Sequence, residues 1–537
     1  MLKKIFFFFL IGLPFLGNTA NNLNKRPKII VRIVVEQMRY EMLLRYWDEF
    51  GEDGFKKLAG QGAYFTNARL NYSSTQRSSG FATLATGSYP SVHGIIGDFW
   101  YDRLSGDLVY SIRDDKSKPV GGEKGNYSPQ NLMSTTLGDE LKKFDPKSKV
   151  YSVGIHPLSA IFGAGRLSDG AFWFDDKSGN WMTSSYYHDT LSSWINKFNQ
   201  KNLQDIYMDR HWNKLLPDSN YTMSLPDDND AEEGFLLLYK KSFPYNLNTL
   251  KKKSRSYKYL KYTPFGNTYT KDFALALLNE EKLGKDEHTD ILNIAFSSSS
   301  FVNELFGPRS IEMEDLIVRL DKDISHLISY LTDQFDKDDF LVVLTSDRGC
   351  IDPYEYNKAH GIKTKTYKPK NGLALLRSYL NIVYKDKNWI RSSVNNQLYL
   401  DHSLIDQGGF LISDFQERVS RFFVKKSGVA YAVKASTLLN TNFTKGILGK
   451  IQNSYHPKRS GDILLSLEPG TVEVPERSGS VYNYDNHIPL MLYGDKIPAK
   501  TFHSEVFLKD VSPAISVLFN IPSPNASGGS KILELLD

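Results

Sequence analysis

Short runs of apolar and β-branched residues recur along the chain and predict the strands of a buried sheet. The clearest are Ile29 to Val35, Val150 to Ile155, Ile291 to Phe296, Phe340 to Thr345 and Ile463 to Leu467. Because these runs are nearly continuous rather than alternating, we expect central strands that are covered on both faces.

A helical period appears between the third and fourth runs. Within residues 312–335 the apolar positions are Met313, Leu316, Ile317, Leu320, Ile324, Leu327, Ile328 and Leu331, which predicts an amphipathic helix. Strand, helix and strand in this order indicate an α/β fold with a mostly parallel central sheet flanked by helices. Ligands of such sheets bind at the carboxyl ends of strands, where Glu36, Ser300 and Asp347 fall.

The first 20 residues have the pattern of a secretory signal peptide. Lys3 and Lys4 precede an apolar run from Ile5 to Leu16, and small and polar residues lead to Ala20. The alternative is a membrane anchor, but the run is shorter than the roughly 20 residues that span a bilayer. We therefore predict export, with cleavage near Ala20 and no transmembrane segment in the mature chain.

Composition narrows the class of protein further. With 537 residues, 41% hydrophobic and 24% charged, the chain can bury a large core. Cys350 is the single cysteine, so no internal disulfide can form. The formal net charge of +5, which becomes +3 without Lys3 and Lys4, is too small for its size to indicate nucleic-acid binding.

Residues 200 to 265, approximately, interrupt the alternation of strands and helices. An acidic run, "LPDDNDAEEG", is followed by a basic one, "LKKKSRSYKYLKY". We interpret the segment as a variable, charged insertion in solvent. The alternative is a docking surface for an acidic partner or an anionic membrane.

Ordered motifs give the chain a family resemblance. They include "VVEQMRYE" at 34–41, "GFATLATGSYPSVHGIIGDFWYD" at 80–102, "GAFWFDDKSGNWMTSSYY" at 170–187, "LTSDRG" at 344–349 and "YDNHIPLMLYG" at 484–494. Through them residues 28–537 resemble the alkaline phosphatase superfamily, in particular secreted phosphate-irrepressible alkaline phosphatases near the nucleotide pyrophosphatase and phosphodiesterase branch. The resemblance implies an alkaline-phosphatase-like α/β sandwich with insertions.

The resemblance also implies two zinc ions in active relatives, one activating a threonine and one stabilising the leaving oxygen. The positions that would hold these metals are occupied by Glu36, Ser300, Glu304, Asp347, Arg348 and His487. Ser300 and Arg348 offer no carboxylate or imidazole, and Glu304 stands where a histidine is expected. We therefore predict that the metals, and with them any cofactor, are lost.

The remaining site positions depart from the family pattern as well. Arg77 occupies the nucleophile position, and arginine stays protonated and cannot attack phosphorus. Asp98 replaces an asparagine that would contact phosphate, and His156 and Leu158 replace a "KxR" pair. A displaced nucleophile among the hydroxyls of Thr75, Ser78 and Ser79 is the alternative.

These departures lead to three hypotheses about function. The first is a catalytically inactive pseudoenzyme that serves as an exported scaffold subunit of a cell-envelope complex. In it, Arg77 and Arg348 form salt bridges with the remaining carboxylates. The second is an oxyanion-binding module that uses the same two arginines. The third is a residual metal-dependent phosphoester hydrolase with one metal at Glu36, Asp347 and His487.

The expected partners follow from the predicted export. We predict a periplasmic or outer-membrane-associated location, with other envelope proteins as partners and no nucleic acid.

Overall fold

The computed structural model describes residues 26–474, 479–494, 496–529 and 532. The predicted signal peptide, residues 1–20, lies outside the described residues.

One large, twisted sheet organises the chain. In spatial order its strands are Lys500–Phe502, Ala63–Arg69, His487–Gly494, Phe340–Thr345, Ile29–Val35, Asp290–Phe296, Val150–Gly154, Gly170–Phe174, Trp181–Ser184 and Pro119–Val120, and Val506–Phe507 also pairs with Ala63–Arg69. Its centre, from Phe340–Thr345 to Gly170–Phe174, is parallel throughout. The predicted α/β class and mostly parallel sheet are confirmed.

The prediction that Ile463–Leu467 is a strand of the central sheet is wrong. This strand lies not in the central sheet but in a separate antiparallel sheet, whose strands run in the order Ile390–Val394, Gln397–Leu400, Ile463–Leu467 and Val429–Lys434. An apolar core of its own packs beneath this sheet. A short apolar run cannot reveal which sheet a strand joins, because both environments bury the same side chains.

Two-stranded pairs and helices complete the architecture. The pairs are His211–Trp212 with Tyr245–Asn246, Lys365–Tyr367 with Thr471–Glu473, and Phe99–Tyr101 with Leu108–Tyr110. The α-helices are Tyr40–Arg45, Phe55–Gln61, Arg77–Thr86, Pro90–His93, Leu137–Phe144, Pro157–Ala164, Ser193–Gln200, Leu203–Met208, Leu247–Ser254, Pro264–Glu280, Ser298–Leu305, Ile311–Gln334, Tyr354–Ala359, Pro369–Tyr384, His402–Gln407, Ile412–Val424, Ala435–Asn440, Gly446–Ser454, Asn483–Asn486 and Val511–Leu518.

The central sheet is buried on both faces, as its continuous apolar strands predict. Along Ile29–Val35, the side chains of Val31 and Ile33 belong to one apolar cluster, and those of Ile30 and Val34 belong to another. Helices cover both faces, and the predicted amphipathic helix is present as Ile311–Gln334.

The charged segment 200–265 is attached to the N-terminal part of that helix by buried carboxyl groups. The Tyr245 hydroxyl donates to Glu312 at 2.5 Å, and Trp212 Nε1 donates to Asp315 at 2.7 Å. Trp212 and Tyr245 are themselves fully buried. The segment therefore contributes to the main core, although its predicted variability stays a prediction.

The buried Glu232, in the same segment, should make the free energy of unfolding depend on pH. Burial raises its pKa from 4.5 to about 8. Between these values the folded chain holds a proton that the unfolded chain has lost, so the free energy of unfolding falls as pH rises. We expect Glu232→Gln to raise the free energy of unfolding at pH 8.5 by at least about 1 kcal/mol.

Chemical denaturation at pH 8.5 and pH 4 measures this effect. The gain should vanish at pH 4, and Glu233→Gln, at the exposed neighbouring position, should show no gain at either pH. An equal gain at both pH values would contradict the assignment.

Candidate active site

Three neighbouring parallel strands bring the predicted residues together at their carboxyl ends. Ile29–Val35 pairs with Asp290–Phe296 on one side and with Phe340–Thr345 on the other. Glu36 follows the first strand, Asp347 follows the third, and Ser300 lies in the helix after the second. Because the strands are parallel and adjacent, their ends meet at one edge.

A buried ion pair forms the centre of this edge. Arg77, the first residue of the helix Arg77–Thr86, places its Nε 2.6 Å from Glu36 Oε2. Its Nη2 donates to Ser300 Oγ at 2.8 Å, and Ser300 Oγ lies 3.1 Å from Glu36 Oε2. The Ser300 hydroxyl therefore contacts both a carboxylate and a guanidinium, and the Ser297 carbonyl oxygen is a second acceptor at 3.1 Å.

The other carboxylate oxygen, Glu36 Oε1, accepts hydrogen bonds from the hydroxyls of Ser159 and Ser297. Burial alone would raise the pKa of Glu36, but attraction to Arg77 and Arg348 and these hydroxyl bonds hold its pKa below the ordinary value. Glu36 is therefore ionised at neutral pH.

Asp347 and Arg348 form a second pair. Arg348 Nη1 contacts Asp347 Oδ2, and the backbone N–H of Gln37 donates to Asp347 Oδ1 at 2.9 Å. Burial raises the pKa of Asp347 to about 6 despite the nearby arginine. Gly80 lets the helix Arg77–Thr86 approach closely, since a Cβ there would lie 2.5 Å from the Asp347 carbonyl oxygen. The expected pairing of both arginines with carboxylates is present.

His487 and Glu304 have other partners. His487 Nε2 lies 2.8 Å from the Thr66 carbonyl oxygen, and its ring stacks on Tyr40 with the centroids 4.4 Å apart. Glu304 accepts a 3.3 Å hydrogen bond from the Tyr262 hydroxyl. Across the described part of the chain, no three His, Cys, Asp or Glu side chains converge on a common point. The site postulated at Glu36, Asp347 and His487 is therefore not assembled.

The positions expected to contact phosphate are used structurally. Asp98 Oδ1 accepts the Ser78 backbone N–H at 2.9 Å and so caps the first turn of the Arg77 helix. His156 Nδ1 accepts the Leu158 N–H at 3.2 Å, and burial lowers the pKa of His156 well below its ordinary value. The Leu158 side chain is buried in an apolar cluster.

Sequence reasoning missed the groups around Phe301. Its ring centroid lies 5.4 Å from the Arg77 guanidinium carbon and 4.8 Å from Lys261 Nζ, and the His156 ring is 6.2 Å away. Lys261 belongs to the basic run in the segment 200–265. The sequence shows the charge of this run but does not indicate that it lies beside the site. The structure thus adds a third cation near the two arginines.

A small cavity of about 50 Å³ adjoins the Asp347 and Arg348 pair. Its lining includes Gln37, Thr75, Arg348, Glu473 and Tyr484. Arg348 therefore faces open space as well as its carboxylate.

Similarity to known proteins identifies the family. The family model described as type I phosphodiesterase / nucleotide pyrophosphatase matches residues 30–487. The chain belongs to this family.

Relatives of this phosphodiesterase-family chain match over nearly its whole length. Alkaline phosphatase PafA of Elizabethkingia meningoseptica is 34% identical over 97% of this chain and 96% of its own. Alkaline phosphatase PhoV of Synechococcus elongatus is 34% identical over 95% and 93%, respectively. The crystal structure of PafA superposes with a TM-score of 0.90 at 33% identity, over 95% of this chain and 99% of the other.

These comparisons correct the predicted function. The prediction of a catalytically inactive scaffold is wrong, because full-length relatives at 34% identity are named as enzymes. The prediction of no cofactor is contradicted with it, since the resemblance assigns two zinc ions to alkaline phosphatases. The prediction of inactivity assumed that changed residue types mean lost chemistry. The site nevertheless keeps ionised carboxylates, cations and a paired hydroxyl.

The side chains as placed do not fit a two-zinc centre. Both oxygens of Glu36 already accept hydrogen bonds, and the guanidinium of Arg77 lies against this carboxylate.

The buried pair of Arg77 and Glu36 gives a stability prediction. Arg77→Ala leaves a buried carboxylate without its cation, and we expect the free energy of unfolding to fall by about 3 to 5 kcal/mol. Replacing both partners, as Arg77→Met with Glu36→Gln, should recover most of that loss. Urea denaturation of Arg77→Met, Glu36→Gln and the variant that carries both measures the coupling, and additive losses would contradict a direct pair.

Proposed function

We propose that this chain hydrolyses phosphate esters. The observation that carries the proposal is the Ser300 hydroxyl, which lies 3.1 Å from Glu36 and 2.8 Å from Arg77 at the carboxyl edge of the sheet. A nucleophile beside a base, with a cation adjacent, is the arrangement required for attack on an ester. The match to alkaline phosphatases over nearly the full chain supports phosphorus as the centre attacked.

In the proposed reaction, Ser300 Oγ bonds to phosphorus while its proton passes to Glu36. The bond between phosphorus and the ester oxygen breaks, and the alcohol leaves with a proton from water. The hydroxide left by that water attacks the phosphoserine, the bond between phosphorus and Ser300 Oγ breaks to release inorganic phosphate, and Ser300 takes its proton back from Glu36. The lowered pKa of Glu36 keeps this acceptor ionised at neutral and alkaline pH.

Three cations supply the charge that phosphoryl oxygens need. Arg77 and Arg348 can form paired hydrogen bonds to an oxyanion, and Lys261 adds a point charge. Lys261 is held by Asp176, with 2.8 Å between Nζ and either carboxylate oxygen, and it packs over the same ring as Arg77. We propose that these groups replace the cationic pair expected where His156 and Leu158 stand.

We propose the periplasm as the place of action, supported by the signal-peptide pattern of the first 20 residues. Within the described residues, no helix combines the length and the apolar character that a membrane crossing requires. Envelope proteins as partners stay a prediction.

Turnover of p-nitrophenyl phosphate and bis(p-nitrophenyl) phosphate, with and without added zinc, tests the activity. We expect Ser300→Ala to lower kcat by at least about 100-fold, because it removes the attacking atom. The matched control is Ser298→Ala, whose buried hydroxyl in the same helix has no hydrogen-bond partner in the described structure. Absence of turnover in all conditions, or equal losses in both variants, would contradict the proposal.

Lys261 gives a separate prediction about substrate binding. We expect Lys261→Ala to raise KM for the aryl phosphate about tenfold with a smaller change in kcat, because the proposed role of this cation is to bind the substrate. Lys261→Arg should restore most of the affinity. Lys258→Ala, three positions away on the exposed surface, should leave KM unchanged, and a KM effect of the same size there would refute a specific role.

A further inference from the structure

Positive charge is concentrated in one part of the chain. Residues 368–430 contain ten Lys and Arg against five Asp and Glu, an excess equal to the formal net charge of the whole chain, +5. This segment builds most of the separate core beneath the antiparallel sheet. The remaining residues, which include the basic run within 200–265, together carry no formal net charge.

A helix in this region presents apolar side chains to solvent. The helix Pro369–Tyr384 buries Leu376 and Leu380 against the separate core. On its outer side Leu375 is 54% exposed and Ile382 is 85% exposed. Tyr379 lies between them at helical spacing, so the three positions form one stripe.

A basic groove adjoins this stripe at Tyr379. The Tyr379 ring stacks on Phe422 of the helix Ile412–Val424, with the centroids 5.1 Å apart. The groove there has a volume of about 570 Å³, and its charged lining consists of Arg418, Arg421, Lys425, Lys426, Asp414 and Glu417.

The groove keeps a surplus of positive charge after internal pairing. Arg421 pairs with Glu417 at 2.7 Å. In the part of the chain that the structure describes, no carboxylate lies within ion-pair distance of Arg418, Lys425 or Lys426. These three cations are available to an external anion.

We propose that this stripe and groove dock the protein on an anionic lipid surface. Leu375 and Ile382 would enter the boundary between headgroups and acyl chains, while Arg418, Lys425 and Lys426 would meet lipid phosphates. An anionic membrane offers acyl chains to the apolar stripe and phosphates to the basic groove. A purely acidic polypeptide would leave Ile382 in water, so the exposed apolar stripe favours lipid.

Vesicle co-sedimentation of the mature chain tests the proposal. Vesicles of equal parts phosphatidylglycerol and phosphatidylcholine should bind the protein at low salt, whereas pure phosphatidylcholine vesicles should bind it weakly. Because the ionic contribution is screened, high salt should release the protein from the anionic vesicles.

Variants separate the apolar and ionic contributions. We expect Ile382→Glu to weaken vesicle affinity at least about tenfold, and Lys425→Ala with Lys426→Ala to weaken it by a similar factor. Leu104→Glu is the matched control, since Leu104 is 98% exposed elsewhere on the molecule and receives the same charge change. Circular dichroism verifies that each variant is folded.

Three results would overturn the proposal. The first is that the protein does not bind anionic vesicles at low salt. The second is that folded Ile382→Glu binds them as tightly as the unchanged chain. The third is that Leu104→Glu loses as much vesicle affinity as Ile382→Glu. Binding of polyglutamate with no binding of vesicles would also overturn it, in favour of an acidic protein partner.

Discussion

The buried ion pair between Arg77 and Glu36 is the interaction on which the rest of the site depends. Removing both charges from water costs several kcal/mol per ion, which only close geometry and further hydrogen bonds can offset. The structure supplies both, with 2.6 Å between the charged atoms and hydroxyl groups on each carboxylate oxygen. Even the cap by Asp98 serves this pair, because it stabilises the helix that begins at Arg77.

This arrangement links fold stability to chemistry. The same carboxylate that neutralises Arg77 also contacts the Ser300 hydroxyl. An ionised acceptor, a hydroxyl and a guanidinium are thus held together by packing, before any substrate arrives. Arg348 lines the small cavity together with the carboxylates of Glu473 and Asp485, and Lys261 adds a cation beside Phe301.

Local patterns predicted much of the fold and part of the site. Continuous apolar strands and the helix within 312–335 identified the sheet, and strand ends correctly brought Glu36, Ser300 and Asp347 together. Which sheet Ile463–Leu467 joins depends on distant pairing, which periodicity does not encode. Lys261 was missed for the same reason, since it reaches Phe301 only through the folded segment 200–265. The wrong prediction of inactivity came from comparing residue types position by position, without the contacts that give Ser300 its partners.

The most direct test of the central claim is mass spectrometry of the protein quenched in acid during turnover of an aryl phosphate. The account predicts one added phosphoryl group on the peptide that contains Ser300, and its loss in Ser300→Ala. A phosphoryl group on Thr75, Ser78 or Ser79 instead, or turnover that persists in Ser300→Ala, would contradict it.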